Sequence, residues 1–184
     1  MKMISARIIS FICGPVSWVI FFLISSYYKG LFQNKNNMII VILIAFIIPI
    51  ILFIVLLKTK KISDLDISLR QERYPLLIII NICLLALLYF LNIRHLTTLF
   101  HLTQIVYIII TVSSLITLFY KISFHITFSY TFAILINALF SFQLWWLYLI
   151  IPAVFWSRLT LKKHTVMQML LALVIDSFII FALW

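Results

Sequence analysis

Acidic residues, glycine and cysteine are all scarce in this chain of 184 residues, which has four Asp or Glu, two glycines and two cysteines. Cys13 and Cys83 lie inside different apolar runs, where a thiol behaves as a small hydrophobe. That excludes a disulfide framework and a cysteine metal site. Only 10% of residues are charged and 66% are hydrophobic, so too little polar surface exists to cover a water-soluble core. No stretch outside the apolar runs is long enough for a soluble domain. Any functional site must therefore be assembled from helix ends and short junctions. What the chain has in quantity is hydrocarbon-like sequence hemmed by Lys and Arg, with a formal net charge of +10. The expected fold class is all-α: a multi-pass integral-membrane bundle of six or seven helices, forming a single transmembrane domain over 1–184.

Uncharged apolar length sets the expected spans, since crossing takes roughly 17 to 25 residues. Ser5–Tyr28 comes first and follows Lys2 and Arg7 in the manner of a signal sequence. It is too long for one and lacks a small-x-small cleavage pattern, so it reads as a retained span. Met38–Leu57 is the second, and Leu76–Ile93 and Leu99–Tyr120, joined by a tight turn at Arg94 and His95, are the third and fourth. As one helix, Ser123–Trp156 would run about 50 Å against a hydrocarbon core of about 30 Å. A turn at the polar cluster Asn137–Gln143 splits it into Ile126–Phe140 and Leu144–Trp156, the latter containing Pro152. Val166–Trp184 closes the set.

With that parity, spans two, four and six end on one face, where the junctions Lys58–Pro75, Lys121–His125 and Ser157–His164 meet. They offer Arg70, Arg73, Lys121 and Arg158 as cations, Ser123 as a hydroxyl, and His125 and His164 as imidazoles. Two histidines in separate roles can run phosphoryl transfer, one attacking phosphorus and the other protonating the departing oxygen, while guanidinium groups stabilise the phosphoryl oxygens.

These residues resemble signatures of the type 2 phosphatidic acid phosphatase superfamily. Ser157-Arg158, five residues, then His164 matches the S-R-x5-H part of its third signature. "KISFH" is similar to its second, P-S-G-H, keeping Ser123 and His125. "RQERYP" is similar to the end of its first, K-x6-R-P, with Arg73 as the match. The resemblance covers roughly 58–176, within an expected phosphatase-like core of about 58–184, and departs from the family at Asp66, Tyr74, Ile122, Phe124 and Gln168. It implies a membrane phosphatase acting on a lipid phosphate or prenyl (di)phosphate through a phosphohistidine, with no cofactor and no metal. His164 would be the nucleophile and His125 the general acid. Arg158, Arg73 and Ser123 would hold phosphate. Beside what the resemblance implies, Arg70 and Lys121 are further cations for the phosphate at the same junctions, and Gln168 and Asp66, which stand where the chain departs from the family, are the residues expected to orient in place of its aspartate. The substrate and membrane lipids are the expected partners, and nucleic acid is not. The alternatives are a lipid phosphotransferase, and a non-catalytic subunit or transporter binding anionic headgroups.

Other features keep two readings each. Lys and Arg at span ends also snorkel to headgroups, and Trp145, Trp146, Trp156 and Trp184 suit an interfacial belt. Asp64 and Asp66 suit either a self-neutralising loop or a Mg²⁺ site. Asp176, inside the last span, is either functional or paired with Asn81 or Asn137. His95 and His101, six apart across a turn, are poorly spaced for a helical metal site. The motif face carries eleven Lys and Arg (2, 7, 58, 60, 61, 70, 73, 121, 158, 162, 163) against three opposite (29, 35, 94). Without the four proposed phosphate holders the split is still seven to three, which places that face and the N-terminus in the cytoplasm.

Overall fold

The computed structural model describes residues 2–184, and every regular element among them is helical. In order these are α1 (Lys2–Ile12), α2 (Pro15–Tyr28), α3 (Lys35–Ile42), a π-turn (Leu43–Ile47), α4 (Ile48–Lys58), α5 (Arg73–Ile93), α6 (Thr97–Thr117), α7 (Phe124–Leu139), a 3₁₀ turn (Trp145–Leu149), α8 (Ile150–Thr160) and α9 (Val166–Leu183). Four segments are long and apolar enough to cross a membrane: Lys35–Lys58, α5, α6 and α9. Counting α1 with α2 as one bent segment makes five. The expected fifth span is a 16-residue helix, about 24 Å long at the α-helical rise. The expected sixth is part 3₁₀.

The first segment is not the continuous span expected from Ser5 to Tyr28, because it bends by 42° between α1 and α2. Pro15 stands at the start of α2, where its missing N–H costs nothing, and its ring would clash with the Phe11 carbonyl in an unbroken helix. The Gly14 amide instead donates to that carbonyl at 3.2 Å. Pro49 acts similarly one segment later. The π-turn just upstream displaces the carbonyl its ring would strike, so Lys35–Lys58 stays one span.

The chain divides into two compact units, one formed by the stretch ending at Lys29 together with Ile122–Trp184, the other by Gly30–Lys121. The single domain expected over 1–184 is organised in this way, and the boundary falls inside the second signature-like motif. In the Gly30–Lys121 unit, α5 packs on α6 and on Lys35–Lys58. Asn81 pins the first pair: its Nδ2 donates to Ser114 Oγ at 3.1 Å, and its Oδ1 accepts from Thr111 Oγ1 at 2.7 Å. The Arg94–His95 turn forms as expected, with His95 at φ 53°. Arg94 Nε donates to Asn37 Oδ1 at 3.0 Å, which ties that turn to the start of α3.

In the other unit α1 lies on α8, α2 on α7, and α7 on both α8 and α9. Its core is Ile122, Ile126, Val154, Met169 and Ala172. The break expected at Asn137–Gln143 is present, and Asn137 makes it. Its backbone carbonyl accepts from Phe142 at 2.7 Å and its side-chain oxygen accepts from Leu144 at 2.8 Å. Ser141 and Phe142 take positive φ there. α9 starts with a capping box, in which Thr165 and Gln168 each satisfy the other's backbone amide.

Candidate functional site

Within the unit that contains His125 and His164, the start of α7 and the end of α8 meet, together with α1. Arg158, in the last turn of α8, is 1% exposed. Its Nη1 donates to Ser10 Oγ at 2.6 Å and lies 3.5 Å from His125 Nε2. Ser10 Oγ is itself 3.5 Å from that imidazole nitrogen. An arginine only donates, so Ser10 accepts from it and keeps its own proton to give to a neutral His125. With a protonated His125 the same oxygen accepts. One small hydroxyl thus couples the guanidinium to the imidazole.

The backbone beside it is drawn in close. Ala6, Ser10 and Gly14 recur every four residues on α1 and its C-terminal turn, and all three are buried. Small residues at this spacing let helices approach closely. Ser157 Oγ donates to the Ala6 carbonyl at 2.7 Å, fixing α8 against α1. A Cβ added at Gly14 would lie 3.8 Å from His125 Nε2 and only 3.2 Å from the Ser10 and Phe11 carbonyls.

Ser123 is the N-cap residue of α7. Its hydroxyl is fully buried, makes no capping bond and has no hydrogen-bond partner. A free hydroxyl at a helix N-terminus, two residues from His125, suits an anion. His164, buried on the turn between α8 and α9, lies 3.0 Å through Nδ1 from Gln168 Oε1. That oxygen also accepts from the Thr165 amide at 3.3 Å, which identifies it as the carbonyl end of the side chain. Nδ1 must therefore carry the proton, leaving Nε2 as the basic nitrogen. Gln168 thus orients His164, although it cannot neutralise an imidazolium as a carboxylate would.

The remaining expected residues belong to the Gly30–Lys121 unit. Arg73 is buried at the start of α5, and its Nε donates to the Ile67 carbonyl at 3.0 Å. Arg70, Asp66 and Lys121 are half-buried in the connecting segments. The acids in this loop are largely taken up locally: Glu72 accepts from the Ser63 amide and hydroxyl at 2.9 and 2.8 Å, and Asp64 from the Ser68 amide at 3.3 Å. Among the described residues no three His, Cys, Asp or Glu side chains group closely enough to hold a metal ion. Of the two readings of Asp176, pairing with Asn81 or Asn137 is not formed; neither of its oxygens has a hydrogen-bond partner.

Ser10 is the residue that motif reading missed. The spacing of Ala6, Ser10 and Gly14 was the available signal, since a polar member of a small-residue stripe faces whatever packs on it. No family model, curated protein or solved structure matches this chain.

Proposed function

We propose that this protein is a multi-pass membrane phosphatase of the type 2 phosphatidic acid phosphatase kind, with six or seven helices crossing or entering the bilayer. Its substrate would be a lipid phosphate or prenyl (di)phosphate whose tail stays in the membrane. The observation that carries the reading is the meeting of Arg158 with His125 across Ser10, beside the unpartnered Ser123 hydroxyl. Arg158 with a protonated His125 makes a doubly cationic pocket, and a phosphate monoester dianion is its charge complement.

In this reading His164 Nε2 attacks phosphorus, forming an N–P bond as the P–O bond to the lipid alcohol breaks. His125 gives its proton to the departing oxygen. Water then attacks phosphorus, His125 takes a proton from it, and the N–P bond breaks to release inorganic phosphate and neutral His164. Arg158 and Ser123 hold the phosphoryl oxygens, and the active face is cytoplasmic. Gln168 favours a second reading, an anionic-headgroup binder without turnover, because an amide does not offset charge on His164.

Purified full-length protein, assayed against lipid monophosphates and diphosphates, separates the two. Phosphate release is expected, is expected to persist in excess chelator, and in cell-derived vesicles is expected from inside-out rather than right-side-out preparations. Binding of lipid phosphate with no release would establish the second reading. Loss on chelation with recovery on Mg²⁺ would replace the metal-free mechanism.

Ser10→Ala removes the acceptor of a charge-assisted bond worth about 1.5–3 kcal/mol. A fall in kcat/KM of roughly 10- to 100-fold follows if that bond is made in the transition state. Unchanged kcat/KM would take Ser10 out of the site.

A further inference from the structure

Hydroxyls on the helices of this protein differ in whether they find a partner. On α6, Thr111 Oγ1 lies 2.7 Å from both the Tyr107 carbonyl and Asn81 Oδ1, the buried Ser113 hydroxyl has no partner, and Ser114 and Thr117 each donate to the carbonyl four residues back, at 2.6 and 2.7 Å. That is a usual way for Ser or Thr to sit in an apolar helix. On α7, Thr127 and Thr131 are 1% and 2% exposed, yet neither hydroxyl bonds that carbonyl or any other group. Spaced four apart with Ser123, they form one row along a single helix face.

α7 packs along α9, and Asp176 sits ten residues into that helix, fully buried with both oxygens lacking a hydrogen-bond partner. Thr127 is within electrostatic reach of this carboxyl, though the pair does not meet hydrogen-bond geometry. Next to it, Tyr130 and Ser177 bond through their hydroxyls at 2.7 Å, which fixes the register of α7 against α9 at that level. Burying a carboxylate in a hydrocarbon-facing bundle is costly without a counter-charge.

We propose that Asp176 and Thr127, with Thr131 one turn further along α7, form a binding site for a small monovalent cation of the sodium class. Every donor atom is oxygen, which selects hard cations over transition metals. One carboxylate matches one positive charge, and a divalent ion would leave an uncompensated charge inside the bundle. A proton would engage one carboxyl oxygen only. A cation uses lone pairs of the carboxylate and the hydroxyls together, and leaves the threonine protons to donate to their own helix carbonyls. The site does not depend on the phosphatase reading.

The test is the thermal melting of purified full-length protein in detergent, followed by tryptophan fluorescence, in NaCl, KCl or choline chloride at equal ionic strength. NaCl should raise the melting temperature of the parent protein by about 2 °C or more over choline chloride. Asp176→Asn and Thr127→Val should lose that increment while still melting cooperatively. A similar rise in KCl supports the site; equal melting in all three salts overturns it. Asp176→Asn matching the parent in choline, with no sodium response in either, would identify Asp176 as a neutral acid and also overturn the proposal. Should Asp176→Asn fail to fold, saturable binding of radioactive Na⁺ by the parent protein, weakened in Thr127→Val, supports the site. Absence of saturable binding refutes it.

Discussion

His164→Ala is expected to lower phosphate release by on the order of 10⁴-fold or more, because it removes the atom that would form the covalent intermediate and no neighbouring group replaces it. The same change should leave the fold intact. His164 is buried on a turn between two helices and shares Gln168 Oε1 with the Thr165 amide, while the bond from the Gln168 amide to Thr165 Oγ1 does not involve the imidazole, so that half of the α9 cap persists without it. Melting temperature and kcat are to be measured on one preparation. A large loss of kcat at constant melting temperature is the expected pair of results. Turnover retained within about tenfold of the parent would remove His164 as nucleophile. A covalent phosphohistidine trapped by rapid acid quench in the parent, and missing from the variant, distinguishes attack by His164 from mere phosphate holding. Gln168→Glu extends the test: a carboxylate there would stabilise the imidazolium that an amide cannot, and should hold or raise kcat.

Helices were legible from apolar length alone, because in hydrocarbon the backbone has few other ways to satisfy its amides. The division of Ser123–Trp156 followed from the same length argument, and its position from Asn137, whose side chain accepts the Leu144 amide that a continuing helix would have used. Interruptions within spans were harder to see. Pro15 and Pro49 are equally visible in the sequence, yet one immediately follows a 42° bend and the other is absorbed by a π-turn. A proline shows that an amide is missing. It does not show whether the helix bends or widens to accommodate it.

The site was legible where two residues share one short junction and less so where separate segments meet. Ser157-Arg158 and His164 announce themselves by spacing, and so does the pairing of His164 with Gln168 one turn away. That His125 meets Arg158 required the second and third junctions to fall at the same end, which follows from splitting Ser123–Trp156 in two. Ser10 was hidden for a physical reason. A serine in an apolar run can bond its own helix carbonyl, as Ser114 does, and only the packing of α1 on α8 shows that Ser10 serves Arg158 instead. Asp176 was conspicuous as an acid in a span, but the unpartnered threonines that give it a setting become visible only once each hydroxyl's partner is known.

Arg158→Lys is expected to lower kcat/KM by roughly 10²- to 10³-fold while the protein still folds. The guanidinium offers several N–H groups in a rigid plane, so Nη1 can hold Ser10 while other donors face a phosphoryl oxygen. A lysine ammonium is a single point charge on a flexible stem: it keeps a charge beside His125 but reproduces neither the fork nor the bond to Ser10. The expected loss is about 3–4 kcal/mol of transition-state stabilisation, comparable with removing one donor from an oxyanion site. Arg158→Ala is a poorer probe, since it leaves Ser10 and His125 facing a cavity in a buried seam and also weakens the packing of α1 on α8. The informative comparison is Arg158→Lys with the double variant Ser10→Ala/Arg158→Lys. If the serine acts on the reaction only through the guanidinium, the double variant should be no worse than Arg158→Lys alone, because the bond they share is already lost. Additive losses would show that Ser10 and Arg158 act separately, and the reading of Ser10 as the link between arginine and histidine would fall.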